Sequence, residues 1–134
     1  MQIDIGCFYF IKDSFFDVID DPELMQNKEN GNKRPCYYCF KSKEYNNIIW
    51  FIPVSTKVDK YQRIYDNKIK KQIKLGKKPS IDTIVFGNVA NTYSAFLIQN
   101  MFPVTEEYIE SQYIKNIVFP DIDKILEKLL KNNI

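Results

Sequence analysis

The feature of this sequence that most limits its possible folds is a pair of apolar segments separated by a short polar turn. PCYYCFKS (35–42) and IIWFIPVS (48–55) are rich in aromatic and β-branched residues, and KEYNN lies between them. Such residues are typical of strands, and Asn46-Asn47 suits a tight reversal of the chain. We therefore predict an antiparallel hairpin at the centre of the fold.

The hydrophobic period changes directly after this hairpin. Apolar side chains recur every three or four positions from Val58 to Ile73, which predicts an amphipathic helix. Gly76 suits its C-terminal stop, and Ser55 or Thr56 is expected to cap its N-terminus. Residues 57–78 hold nine basic and two acidic residues, so the polar face of this helix is predicted to be basic.

The remaining elements are shorter. We predict further strands at 3–10, 81–89 and 92–99, and a polar loop at 25–34. Predicted helices are a short one at 12–24 capped by Asp13 or Ser14, one that begins after Pro103 with Thr105 as its cap, and a final one at 120–131.

The chain length and composition suit one domain, residues 1–134. Its 134 residues are 45% hydrophobic and 15% aromatic, which is enough to fill a single core. About five short strands with helices inserted and appended predict an α+β fold, with a small curled sheet or barrel.

The charge is unevenly distributed along the chain. The formal net charge is +2, yet residues 26–101 hold fourteen basic and five acidic residues between acidic ends. This asymmetry suggests a polyanionic partner, nucleic acid first, with a solvated basic surface as the alternative. Because no secretory signal and no membrane-length apolar run is recognisable, we expect a cytoplasmic protein without a membrane partner.

Several kinds of chemistry are disfavoured by composition. The chain has no histidine, so proton transfer would need other side chains, and zinc sites that use histidine are excluded. Cys36 and Cys39 have zinc-like spacing, but Cys7 is the only other cysteine. We expect these cysteines to pack within strands, and we expect no metal and no cofactor.

A candidate anion site lies where the apolar strand meets the basic helix. Hydroxyls and backbone N–H groups at a helix start can bind an anion, and Lys57 and Lys60 would add positive charge for a phosphate. Arg34 enters the central hairpin from a basic loop, and its planar guanidinium suits phosphate. Tyr61 and Tyr65 are candidates for stacking on unpaired bases.

Three stretches taken together resemble the endoribonuclease toxins of type III toxin–antitoxin systems, the ToxN, AbiQ and CptN group, and CptN in particular. They are NKENGNKRPCYYCF (27–40), WFIPVSTKVDKY (50–61) and FLIQNMFPVTEEYI (96–109), in the family's order and rough spacing. The resemblance covers residues 3–115.

The resemblance implies a Kid/MazF-like, SH3-like β-barrel with inserted and appended helices. It implies metal-independent, sequence-selective cleavage of single-stranded RNA to 2′,3′-cyclic phosphate and 5′-hydroxyl ends. The implied partners are target mRNA and a repetitive antitoxin RNA, which the toxin processes into pseudoknots that inhibit it in closed protein–RNA assemblies. Members of this family act in phage defence by abortive infection and in plasmid maintenance.

The resemblance also implies site residues. Ser55 and Thr56 match the family's hydroxyl pair and would hold the phosphate, and Arg34 would stabilise the transition state. Relatives tend to have Pro-Lys directly after the hydroxyls, whereas this chain has Lys57-Val58. The resemblance therefore does not assign the lysine that reaches the phosphate, and Lys28 and Lys57 are both candidate proton acceptors. The predicted RNA-binding residues are Lys33, Lys60, Tyr61, Arg63, Lys68, Lys70, Lys71 and Lys74.

Two other interpretations stay open at this point. In a non-catalytic RNA-binding module the hydroxyls would act only as helix caps, and RNA would be bound without cleavage. In a protein–protein adaptor the basic helix would dock on an acidic partner, and RNA affinity would stay at the non-specific level.

Overall fold

The computed structural model describes residues 2–19, 21–22 and 24–114, and its fold is α+β with antiparallel strands. The α+β part of the predicted fold is therefore confirmed. The strands are β1 (Phe8–Ile11), β2 (Lys28–Glu29), β3 (Asn32–Lys33), β4 (Cys36–Lys41), β5 (Ile48–Ser55), β6 (Ile84–Val89), β7 (Thr92–Leu97), β8 (Phe102–Thr105) and β9 (Ile109–Ile114), and the helices are α1 (Asp13–Val18) and α2 (Val58–Lys74).

Strand β5 is the centre of the main sheet. It pairs with β4 on one side, which confirms the predicted hairpin, while its first half pairs with β8 and its end with β7 on the other side. The main strand order is β6-β7-β5-β4-β1-β9. Within the described residues no pairing joins β6 to β9, so the expected barrel is not closed.

Both faces of the central strands are buried. Phe8, Tyr37 and Ile52 belong to one core cluster, whereas Tyr9 and Phe51 belong to a second cluster. Adjacent residues on a strand point to opposite faces of a sheet. This two-sided burial explains why β4 and β5 read as continuous apolar runs rather than as alternating ones.

Helix α2 packs against the β6–β7 hairpin through the apolar stripe that its sequence predicts. Tyr61 is buried there with Ile84 and Leu97. Gly76 follows the helix with a φ of 75°, which fits the predicted stop, since glycine adopts this left-handed conformation readily. Neither helix of the described part is long and apolar enough to cross a membrane.

The segment after Met101 differs most from the prediction. The helix expected after Pro103 is absent, and β8 and β9 stand there, separated by one 3₁₀ turn at Glu106–Tyr108. Residues 102–105 pair with the first half of β5, which buries Phe102 and Val104. Tertiary pairing thus overrides the local helix signals. The helix predicted at 120–131 lies outside the described residues.

The loop predicted at 25–34 contains a small hairpin, β2–β3. Asn30 and Gly31 form its turn with φ values of 52° and 83°, the conformation that Asn-Gly favours in two-residue hairpins. Three smaller predictions are corrected as well. Strand β1 begins at Phe8 rather than at residue 3. The N-cap of α1 is Lys12 rather than Asp13 or Ser14, and the N-cap of α2 is Lys57 rather than Ser55 or Thr56. Neither N-cap residue forms a side-chain cap hydrogen bond.

Candidate anion site at the end of strand β5

The hydroxyls at the end of β5 converge on Glu29, which the β2–β3 hairpin carries to them. Ser55 Oγ donates to Glu29 Oε2 at 2.6 Å, and Thr56 Oγ1 donates to Oε1 at 2.5 Å. The backbone N–H of Thr56 also donates to Oε1, at 2.8 Å. The predicted caps of α2 therefore act as ligands of a carboxylate, because the hairpin presents a stronger acceptor.

Arg34 completes this arrangement from the start of the central hairpin. Its Nη1 donates to Glu29 Oε2 at 2.9 Å and to the Val54 carbonyl at 3.0 Å, while Nε donates to the Gln26 carbonyl at 3.0 Å. Arg34 and Glu29 expose only 8% and 9% of their side chains. No described residue accepts a hydrogen bond from Nη2, so this nitrogen keeps its donors for another acceptor.

Sequence reasoning missed Glu29, although one signal for it exists. Asn30-Gly31 predicts a tight hairpin, and such a hairpin would fix the direction of the residue before it. The position of Glu29 against β5 is decided by other contacts: the Arg34 N–H donates to the Asn27 carbonyl at 2.6 Å, and buried Asn27 donates to the Ile11 carbonyl at 2.8 Å. These contacts tie the hairpin to β1 and β4.

The environment of Glu29 favours its charged form. Burial acts to raise the pKa of this carboxyl group, but the hydrogen bonds from Ser55 and Thr56 and the charge of Arg34 outweigh burial and lower the pKa from 4.5 to about 2. A base that works near neutral pH needs a pKa close to 7. Glu29 is therefore suited to fix its partners rather than to accept a proton.

This lowered pKa predicts a stability change in acid. Because the folded pKa of Glu29 lies below the unfolded value, the carboxylate stabilises the fold above pH 5, and this stabilisation is lost as the pH falls towards 2. At 1.4 kcal/mol per unit the loss is about 3 kcal/mol. Urea unfolding of wild type and Glu29→Gln between pH 7 and 2 measures it. The difference between the two proteins should shrink over this range, and a constant difference would contradict the assignment.

The two candidate proton acceptors are placed differently. Lys28 neighbours Glu29 on β2 and so points to the opposite face. There the hydrogen bond from Asn27 lowers the pKa of Asp13 against the effect of burial, and the charges of Lys33 and then Lys28 lower this pKa further. Lys57 lines an open groove with Thr56. Of the two lysines, only Lys57 is thus brought to the hydroxyls.

The basic residues of α2 form one exposed face. Lys60, Arg63, Lys70, Lys71 and Lys74 are exposed, and at 3.6 residues per turn they fall within an arc of about 100°. We call these five residues the basic face of α2.

Of three other predicted RNA-binding residues, two have polar partners within the protein and the third is buried. Lys68 donates to Thr83 Oγ1 at 2.9 Å and to Gln99 Oε1 at 2.8 Å, and Lys33 forms an ion pair with Glu110. Tyr61 is 7% exposed, which corrects the expectation that its ring stacks on a base.

An exposed aromatic ring does lie beside the hydroxyls. Tyr93 is 52% exposed and lines the groove that Thr56, Lys57 and Lys60 share. One face of its ring stacks on Phe86, with centroids 5.9 Å apart and planes at 16°. Such a supported ring is suited to stacking on a base, and the sequence offered no sign that this tyrosine, rather than Tyr61, is the exposed one.

The three cysteines are buried free thiols, as strand packing predicts. Burial raises the pKa of Cys36 and of Cys39 to about 12, so these thiols stay protonated near neutral pH. Cys39 Sγ donates to the Trp50 carbonyl at 3.0 Å. In the part of the chain that the structure describes, His, Cys, Asp and Glu form no group of three or more that could hold a metal ion.

The sequence matches no protein-family model and no curated protein.

Proposed function

We propose that this protein is a metal-independent endoribonuclease and the toxin of a type III toxin–antitoxin system. The observation that carries the proposal is the convergence of Ser55, Thr56 and Arg34 at the end of β5, next to an open groove that holds Lys57 and Tyr93. These are the positions that the family resemblance assigns to phosphate binding and catalysis. The curled sheet would then be a Kid/MazF-like, SH3-like barrel that is open between β6 and β9.

The proposed reaction is transesterification at a phosphodiester. The ribose 2′-oxygen forms a bond to phosphorus as its proton passes to a base, the role that we propose for Lys57. The bond from phosphorus to the 5′-oxygen breaks, and that oxygen takes a proton from water. The products are a 2′,3′-cyclic phosphate and a 5′-hydroxyl. No redox step is involved, and fixed charges with good alignment can supply most of the rate.

Glu29 changes the role proposed for the hydroxyls. Since both hydroxyl protons are donated to Glu29, the lone pairs of Thr56 Oγ1 that remain free can accept a hydrogen bond from the 2′-hydroxyl in the bound substrate, before that proton passes to the base. Thr56 would thus align the nucleophile. Nη2 of Arg34, which has no described acceptor, would stabilise charge on the phosphorane oxygens. Glu29 acts as a positioning residue in this scheme.

The test of the proposed function is an RNA cleavage assay in excess EDTA, with mass spectrometry of the fragment ends. Single-stranded RNA should yield cyclic phosphate and 5′-hydroxyl ends. A duplex of the same sequence serves as the matched control and should be cut more slowly. RNA that is bound but stays intact would reject the enzymatic proposal.

One observation favours a second candidate, an RNA-binding module without catalysis. The hydroxyls already hold an internal carboxylate, so they have a structural role whether or not RNA is cut. This module would use the basic face of α2 and Tyr93 for binding. It predicts tight binding of RNA with intact ends in the same assay.

The basic face of α2 is expected to bind RNA backbone. Lys70→Ala/Lys71→Ala removes two exposed charges, so the slope of log affinity against log salt should become shallower by about 1.4. Cleavage of a substrate only a few nucleotides long should stay unchanged. Lys41→Ala/Lys43→Ala is the matched control, because both lysines are exposed and lie outside α2. Equal changes in slope for the two variants would show that only net charge matters.

We further propose that the natural partners are an antitoxin RNA that folds as a repeated pseudoknot and the mRNA of the host or of an invading phage. The open groove beside Thr56 shares Lys60 with the basic face of α2, so cations extend from the hydroxyls along the helix, which suits an RNA longer than the cleaved dinucleotide. Closed protein–RNA assemblies, cytoplasmic location and a role in antiviral defence follow from the family resemblance and stay proposals.

A further inference from the structure

A second cavity lies on the other side of Thr56, and the open edges of the sheet build it. It has a volume of about 400 Å³, within the range of pockets that hold small ligands. Phe10 of β1 and Tyr113 of β9 come from one end of the strand order in the main sheet. Val89 of β6 and Thr92 of β7 come from the other end, and all four residues line the cavity. The cavity therefore occupies the gap that closure of the barrel would remove.

The lining of this cavity combines an aromatic wall with a polar rim. Phe10 and Tyr113 meet edge to face with centroids 5.1 Å apart, and Tyr113 stays 42% exposed. Asn30, in the turn of the β2–β3 hairpin, and Asn32, the first residue of β3, add side-chain amides that can both donate and accept hydrogen bonds. Aromatic rings bind the faces of unpaired bases, and amides read their edges.

The position of the cavity relates it to the anion site. Thr56, Glu29 and Arg34 line it too, so a ligand inside would lie next to the hydroxyl that we propose to align the 2′-hydroxyl. Thr56 is also part of the groove with Tyr93. An RNA strand that places its scissile phosphate at Thr56 would thus direct one neighbouring nucleotide towards the cavity.

We propose that this cavity is a nucleobase-binding site that selects the nucleotide next to the cut. The inference rests on the proposed ribonuclease function and deepens it, since it names the residues that read sequence. Tyr113 supplies the stacking surface, and Asn30 and Asn32 of the β2–β3 hairpin distinguish one base from another. The neighbouring Lys33, paired with Glu110 of β9, holds the rim in place.

The first experiment measures binding without catalysis. The probes are the four nucleoside 3′-monophosphates, with ribose 5-phosphate as the ligand that lacks a base. At least one nucleotide should bind tenfold or more tightly than ribose 5-phosphate. Tyr113→Leu and Thr92→Trp, which fills the cavity from an exposed strand position, should remove this difference, and Tyr113→Phe should keep it. Tyr45→Leu, at an exposed tyrosine in the β4–β5 turn, is the matched control and should bind as wild type does.

The second experiment sequences the cut sites in a random RNA pool for wild type and Tyr113→Leu. The preference at the nucleotide next to the cut should fall at least tenfold in the variant. RNA cleavage with an unchanged preference would overturn the base site and leave the ribonuclease standing. Nucleotide binding that depends on base and on Tyr113, without any cleavage, would reject the ribonuclease and retain the base site. Equal binding of nucleotides and ribose 5-phosphate would overturn the base site.

Discussion

Ser55→Ala/Thr56→Ala is expected to lower the rate of RNA cleavage at least a thousandfold. The double variant removes the oxygen that would align the 2′-hydroxyl and releases the carboxylate that fixes it. A misplacement of a reacting group by about 1 Å can cost roughly 10²-fold in rate, and the freed Glu29 no longer fixes Arg34, whose lost preorganisation adds up to roughly 10²–10³. Single-turnover cleavage of a short RNA in EDTA, at saturating enzyme, measures the chemical step directly.

The control for this variant separates chemistry from folding. Both hydroxyls bond to Glu29, so their removal also destabilises the protein, and circular dichroism must show the variant folded at the assay temperature. Thr56→Ser keeps a hydroxyl at the same position and should retain most of the activity. Thr56→Val keeps the backbone N–H bond to Glu29 and the side-chain shape but should be nearly inactive. A folded Thr56→Val with wild-type rate would show that the hydroxyl only holds the hairpin.

Arg34→Met is expected to lower the free energy of unfolding by about 3–5 kcal/mol. Both members of the Arg34–Glu29 pair are more than nine-tenths buried, and removal of one partner leaves the other charge without compensation. Two backbone carbonyls, of Gln26 and Val54, lose their donor as well. Because small domains are stable by only about 5–15 kcal/mol, this variant should be close to unfolding at room temperature.

A double-mutant cycle keeps this prediction testable. In Arg34→Met/Glu29→Gln no buried charge is left alone, so the double variant should be more stable than the sum of the single losses by about 1–3 kcal/mol. Urea unfolding at pH 7 and at two salt concentrations measures all four proteins. Lys33→Met provides a matched control, since its pair with Glu110 is partly exposed and its loss should cost less than about 1 kcal/mol. Strictly additive losses would contradict the coupling.

Local sequence patterns were sufficient where a segment's neighbours in the chain are also its neighbours in space. The β4–β5 hairpin, the strands β6 and β7, and α2 were predicted because each rests on local periodicity and turn residues. Segments that pair across long sequence separations were not predicted from these local patterns. Phe102 and Val104 become strand residues only because β5, some fifty residues earlier, offers an unpaired edge.

The candidate site divides in the same way. Residue types and spacing pointed to Ser55, Thr56 and Arg34, and the structure brings these three together. The sequence by itself could not rank the lysines, because the strand alternation that turns Lys28 away depends on a two-residue hairpin within a polar loop. It also could not distinguish the buried Tyr61 from the exposed Tyr93.

The sequence by itself determined the α+β class, the central hairpin, the basic helix and the hydroxyl pair at its start, because each depends on side-chain periodicity over a few turns. Only the tertiary structure decided that Glu29 is the partner of those hydroxyls and that the sheet stays open between β6 and β9 among the described residues. Both features depend on long-range pairing, whose free energy comes from burial and hydrogen bonds between segments far apart in the chain.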